Sequence, residues 1–217
     1  MRWFLLVVLA ALALASTALA DPLDPKVRLN AADQVRAKAA LLVQSDLGQG
    51  WRGGAASTPS SLKQPVCPSL RPDYSKLTLT GHAESRFDNG NGGIQVVSDV
   101  EVWKTLEQAE QHLNALLKPK LPACIKFALL KSVGGSAILL PVQVRKLGNF
   151  ADVSVSYRVP VGFKSGGKVQ TVLTDFVILR KGRTEIYLNV VAPSSAEDQL
   201  TAFETRLARA LVKRVRT

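Results

Sequence analysis

Apolar residues recur along this chain in two periods, and the switch between them marks its elements. Residues 31–44, AADQVRAKAALLVQ, are rich in helix formers, with Val35, Ala39, Leu42 and Val43 as the predicted apolar stripe. Asn30 precedes them as an N-cap, with Asp33 three residues on, and the helix is expected to stop near Ser45–Gly48. From 50 to 73 the chain is rich in Gly, Ser and Pro and reads as a loop. Period two follows. KLTLTGHAESRFD (76–88) places Leu77, Leu79, Gly81, Ala83, Ser85 and Phe87 on one face, and IQVVSDVEVW (94–103) continues it across the turn NGNGG. Thr105 and Gln108 open a helix that aligns Leu106, Ala109, Leu113 and Leu116, and Pro119 ends it. A short helix then carries ACIKFALLKS.

Four strands close the pattern: 142–147, 150–161, 169–180 and 184–191, the last three joined by tight turns. Val153, Val155, Tyr157, Val159 and Val161 share one face, and Pro160 suggests a sheet edge. Ser195 is the predicted cap of a last helix with Leu200, Phe203, Leu207 and Leu211 in line. The expected fold is α+β: a single domain over 30–217 with a central antiparallel sheet of about six strands covered by helices, in the order α-ββ-αα-ββββ-α. Trp51, in SDLGQGWRGG (45–54), is either a ligand platform or a plug folded into the core, and the flanking turns favour the plug.

The N-terminus changes the setting. Arg2, an apolar run from Trp3 and the small-x-small Ala18-Leu19-Ala20 form a secretory signal over 1–20, cleaved after Ala20, with an uncleaved anchor as the alternative. Residues 21–29 form a linker, and the remainder is expected to be secreted or extracytoplasmic, in the cell envelope. The net charge of +11 favours anionic neighbours. For an exported chain these are anionic lipid or a cell-wall polymer, with peripheral membrane contact, rather than nucleic acid. Cys67 and Cys124 are the two cysteines, most simply one disulfide in an oxidising compartment.

Candidate chemistry is sparse. No nucleophile elbow, P-loop, HExxH or CxxC occurs. His82-Ala83-Glu84 matches half of a zinc-deaminase signature without its cysteines, so His82 reads as a strand residue with an exposed imidazole. His112 reads as a half-exposed helix spacer. With two histidines, neither near a cysteine in sequence, no metal site, catalytic residue or cofactor is assigned. Asp99 and Glu101 share a strand face with Trp103 and are expected to pair with cations across the hairpin. Asp175 lies among apolar neighbours and needs a partner such as Arg158, Lys168 or Tyr157.

Several segments carry a resemblance: the helix ending LLVQSDLGQGW, Cys67 soon after, strands ending VEVWKTLEQAEQHL, and PKLPACIKF with Cys124. Together they resemble the PknH-like extracellular sensor domains and related secreted or lipid-anchored envelope proteins of actinobacteria. That resemblance implies a PsbP-like α/β domain with a central antiparallel sheet, a disulfide and a ligand cleft, in a family not generally enzymatic. Gly48 stands where that family often has proline, and one cysteine pair is present where some members have two. The expectation is an exported, non-catalytic binding module for an anionic or amphipathic envelope ligand. Trp103, Tyr157, Arg158, Asp175 and Tyr187 are its candidate cleft. The alternatives are a protein-interaction partner of a membrane or wall complex and, less favoured, an envelope hydrolase using Asp175 or His82.

Overall fold

The computed structural model describes residues 22–56, 67, 70–90, 93–133, 137–165 and 168–215. The expected signal segment and its cleavage point lie outside these residues. The elements are β1 (Lys26–Val27), α1 (Ala31–Ala39), α2 (Gln44–Leu47), β2 (Trp51–Ala55), β3 (Thr78–Asn89), β4 (Ile94–Trp103), α3 (Leu106–Leu116) and α4 (Leu121–Val133). They continue with β5 (Ala137–Leu139), β6 (Gln143–Arg145), β7 (Val153–Ser165), β8 (Lys168–Lys181), β9 (Thr184–Pro193) and α5 (Glu197–Arg214).

The class is α+β as expected, but the sheet has nine strands rather than about six. Five long strands run β3-β4-β9-β8-β7, and four short ones complete the edges. β1 and β2 both pair with β3, and β5 and β6 both pair with β7. The short strands have no clear period because they complete an edge rather than cover a core. Pro160 sits where the outer row is interrupted: the Leu140 N–H donates to the Pro160 carbonyl, between the stretches of β7 paired to β5 and to β6. The missing proline N–H faces that same break, so it costs no ladder bond.

Both faces are covered. On one, α1, α2 and α5 bury Ala37, Leu42, Leu47, Leu200, Leu207 and Leu211 against Val96, Val100, Val177, Ile186 and Leu188. On the other, α3 and α4 bury Leu113, Leu121 and Ile125 against Tyr157, Val159, Val161 and Ile178. Asn30 caps α1 by accepting from the Asp33 N–H, and Thr105 caps α3 by accepting from the Gln108 N–H.

Several local expectations change. The first helix breaks at Ala39 because Leu41 and Leu42 must turn inward, and the freed Leu42 N–H donates to Ser98 Oγ at 3.1 Å. Ala37 is buried within it and Ala40, Leu41 and Leu42 are buried just after it, while Val35 and Val43 are exposed. In β3 a register shift between Leu79 and Gly81 moves Leu77 and Leu79 out of line with Ala83 and Phe87 and onto Trp103 and Ala109. Gly81 is required at that shift: a Cβ there would lie 2.3 Å from the Asp33 carbonyl oxygen of α1. Ser195 does not cap α5; it lies in a 3-10 turn, Ser194–Ala196. Cys67 and Cys124 form a disulfide with Cα atoms 5.5 Å apart, tying the segment around Cys67 to the first turn of α4.

Candidate functional site

Alternation fixes which side chains share a face, and it divides the five candidate cleft residues between the two faces. Arg158 and Asp175 are cross-strand partners on the α5 face. There Arg158 Nε donates to both Asp175 oxygens, at 2.9 and 3.0 Å. Arg145 of β6 adds a bond to Asp175 Oδ2 at 2.8 Å and reaches Glu204 of α5 at 3.1 Å. Asp175 thus has the Arg158 partner expected of it, inside a buried ionic knot. Burial, reinforced by the Asp175 carboxylate, pushes the Glu204 carboxyl up to about 9, so it holds a proton at neutral pH. Tyr157 lies on the opposite face, packed with Ile178 and Phe176 beneath α4. Trp103 is fully buried against Leu79, Ala109 and the His112 ring.

Tyr187 belongs to a polar row that the sequence reading did not assemble. On the α3 face, Glu101 of β4 has His82 of β3 as its cross-strand neighbour on one side and Glu185 of β9 on the other. The adjacent row places Asp99 between Glu84 and Tyr187. His112 descends from α3 onto these rows, one helical turn after Ala109. His82, Asp99, Glu101, His112 and Glu185 are all buried. His82 and His112 are therefore neither exposed nor half-exposed, which corrects both expectations. A hydrogen bond of 2.9 Å links His82 Nε2 to Asp99 Oδ1, and one of 2.8 Å links His112 Nδ1 to Glu185 Oε2. Asp99 pairs with an imidazole of the neighbouring strand, while Glu101 forms no salt bridge with an Arg or Lys among the described residues.

Electrostatics follow from this crowding. Burial, with the Asp99 and Glu185 carboxylates adding to it, pushes the Glu101 carboxyl up to about 8 against the opposing pull of His112. Burial also opposes a charged His112, yet the Glu185 carboxylate outweighs it and raises the imidazole pKa. Tyr187, raised by burial and the nearby carboxylates, stays neutral and donates its hydroxyl to Glu185 Oε2. One ligand atom each from His82, Asp99 and Glu101, and from Glu101, His112 and Glu185, lies within 4.8 Å of the others in its set.

Two hollows lie on the surface of the described residues. A cleft of about 410 Å³ is lined by Arg28, Asn30, Asp33, Thr78, Thr80, Lys104 and Arg183, with Arg183 donating to Asp33. A groove of about 480 Å³ lies between the segment after Cys67 and the α3–α4 turn. Leu70, Pro72, Ala115 and Pro119 form its apolar walls, and Arg71, Lys118 and Lys120 line it with charge. Further along the chain, α4 leaves Leu130 exposed and carries Lys131 over the Phe127 ring at 5.1 Å.

No protein-family model matches the chain, and no curated protein does. Among solved structures, LpqN of Mycobacterium tuberculosis, described as involved in cell envelope biogenesis, is similar over 74% of this chain and 76% of its own. The identity is 13% and the TM-score 0.34, a likeness that assigns neither family nor activity.

The buried row escaped the sequence reading because its members come from β3, β4, α3 and β9. The available signal was an acid on each alternate residue of β4, Asp99 and Glu101, facing strands whose own in-register residues are His82, Glu84 and Glu185.

Proposed function

We propose that this protein is an exported, non-catalytic binding module whose groove between the disulfide-tied segment and the α3–α4 turn takes an anionic amphiphile of the cell envelope. One observation carries the reading: the apolar Leu70, Pro72, Ala115 and Pro119 and the cations Arg71, Lys118 and Lys120 line one groove. A groove lined by both apolar side chains and cations fits a phosphorylated or carboxylated headgroup joined to a hydrocarbon. The Cys67–Cys124 bond supports an oxidising compartment, as the N-terminal signal pattern does. Among the described residues no helix is long and apolar enough to cross a membrane. Recognition of a partner protein through the sheet edge is less favoured, because short strands cover parts of both long edge strands.

Co-flotation with vesicles tests this. Phosphatidylglycerol vesicles are expected to carry the protein at low salt, and phosphatidylcholine vesicles are not. Each cation near an anionic surface contributes about 1 kcal/mol. The double substitution Lys118→Glu/Lys120→Glu is therefore expected to weaken binding by on the order of tenfold or more while Tm stays unchanged. Binding indifferent to lipid charge and to both substitutions sinks the reading. A Tm shift with an anionic wall polymer, and none with vesicles, moves the ligand to that polymer.

A further inference from the structure

The buried row under α3 has a charge and hydrogen-bond pattern that the sheet itself does not explain. Two glutamates, Glu101 and Glu185, face each other across the β4–β9 ladder, an arrangement that repels when both are ionised. Asp99 adds a third carboxylate one pleat away on the same face. The nearest in-register cation, Arg180, is directed elsewhere: its guanidinium pairs with Glu110 and Asp152 and donates to the Gly182 carbonyl. Among the described residues Glu101 Oε2 and Glu185 Oε1 have no hydrogen-bond partner, although both residues are more than nine-tenths buried. Buried carboxylate oxygens without a donor are costly. One carboxylate oxygen from each of these glutamates lies with an imidazole nitrogen of His112 inside one 4.8 Å group.

We propose that Glu101, His112 and Glu185 form a binding site for one divalent transition-metal ion of the Zn²⁺ or Mn²⁺ kind. The donor set is nitrogen and oxygen only, since both cysteines are in the disulfide, and that mixture suits these ions. The 2.8 Å between His112 Nδ1 and Glu185 Oε2 is about half an ångström short of the roughly 3.3–3.5 Å between adjacent ligands around a tetrahedral ion of this kind. Small side-chain rotations therefore open the site without moving a strand. An outer shell is in place: the Tyr187 hydroxyl donates to Glu185, and the His82–Asp99 pair flanks Glu101, His82 from the neighbouring strand and Asp99 from the same one. The ion adds positive charge among these carboxylates, and it pins α3 to β4 and β9.

The chain has two histidines, which makes the test decisive. The protein purified from cells with its disulfide intact is stripped with a chelator, and Zn²⁺ or Mn²⁺ is then added alone. Calorimetry is expected to give one ion per chain, and Tm is expected to rise with ion concentration. With Zn²⁺, nitrogen-15 spectra of the imidazoles are expected to show the His112 ring shifted, whether or not His82 follows. Glu101→Gln keeps the side-chain shape and removes the ligand charge, so it is expected to cut affinity tenfold or more. The wild-type spectrum decides the matter if that variant does not fold. No binding at millimolar Zn²⁺, binding with both imidazoles unshifted, or a folded Glu101→Gln that binds as tightly as wild type overturns the proposal. A shift confined to His82 also overturns it, moving the ion to the His82–Asp99–Glu101 set.

Discussion

Asp33 shows how much one side chain in the first turn of a helix can hold. Its carboxylate accepts from Arg183 Nη1 at 2.9 Å and from Asn30 Nδ2 at 2.9 Å, while its own N–H donates to the Asn30 cap. The Arg183 guanidinium, more than offsetting burial, holds the Asp33 carboxyl well below the usual carboxylate range. A depressed folded pKa stabilises the fold above the unfolded pKa of about 4, and that stabilisation is lost as pH falls. Asp33→Asn is therefore expected to cost about 2 kcal/mol at pH 7 and progressively less below pH 4. Urea unfolding of both proteins at pH 7, 4 and 2 measures it, and a difference that does not change with pH refutes the account. The capping half of this arrangement was legible in the sequence, because Asn30 and Asp33 are three residues apart. The ionic half was not, since Arg183 is 150 positions away. The histidines follow the same rule: nothing local in the sequence brings Glu185 to His112.

At the scale of elements, legibility tracked period. Five long strands show their apolar spacing in sequence and form where it places them, apart from the shift at Gly81; the first helix forms too, but it buries Ala37 rather than the predicted Val35 and Ala39. β2 does not, because WRGGA has neither alternation nor β-branched residues. It becomes a strand because β3 offers an edge from Ser85 to Asn89. Trp51 begins it, is buried, and stacks on Phe203 of α5 with ring centroids 5.6 Å apart and 10° between planes. Gln44 Nε2 donates to the Trp51 carbonyl at 2.9 Å and joins α2 to the same corner. This is the plug of the two readings of Trp51. Trp51→Ala is expected to cost about 3–5 kcal/mol, and Trp51→Phe to recover much of that loss. An exposed platform would leave Tm unchanged on either substitution, so thermal melts of the pair separate the two roles.

For the whole molecule, the disulfide joins what the sheet alone leaves apart. The Cys67–Cys124 bond spans 57 positions and encloses β3, β4 and α3. It also fixes the segment that supplies Leu70, Arg71 and Pro72 to the groove, beside the turn that supplies Lys118 and Lys120. Two consequences separate by location. Closing a loop of that length is worth about 4 kcal/mol through the unfolded chain, or roughly 10 °C in Tm for a domain of this size. In the native state, releasing the bond frees one wall of the groove and the first turn of α4, while the cores against α1 and α5 keep their packing. The double substitution Cys67→Ser/Cys124→Ser is therefore expected to lower Tm by about 10 °C. Amide exchange in the native state is expected to quicken in α4 and around Leu70, and to stay slow in β4, β8 and β9. Vesicle binding is expected to fall with it at temperatures where the sheet remains folded, because the three cations no longer share a fixed slot. Uniform acceleration of exchange across all strands would mean that the bond supports the global fold alone and that the groove owes its shape to other contacts.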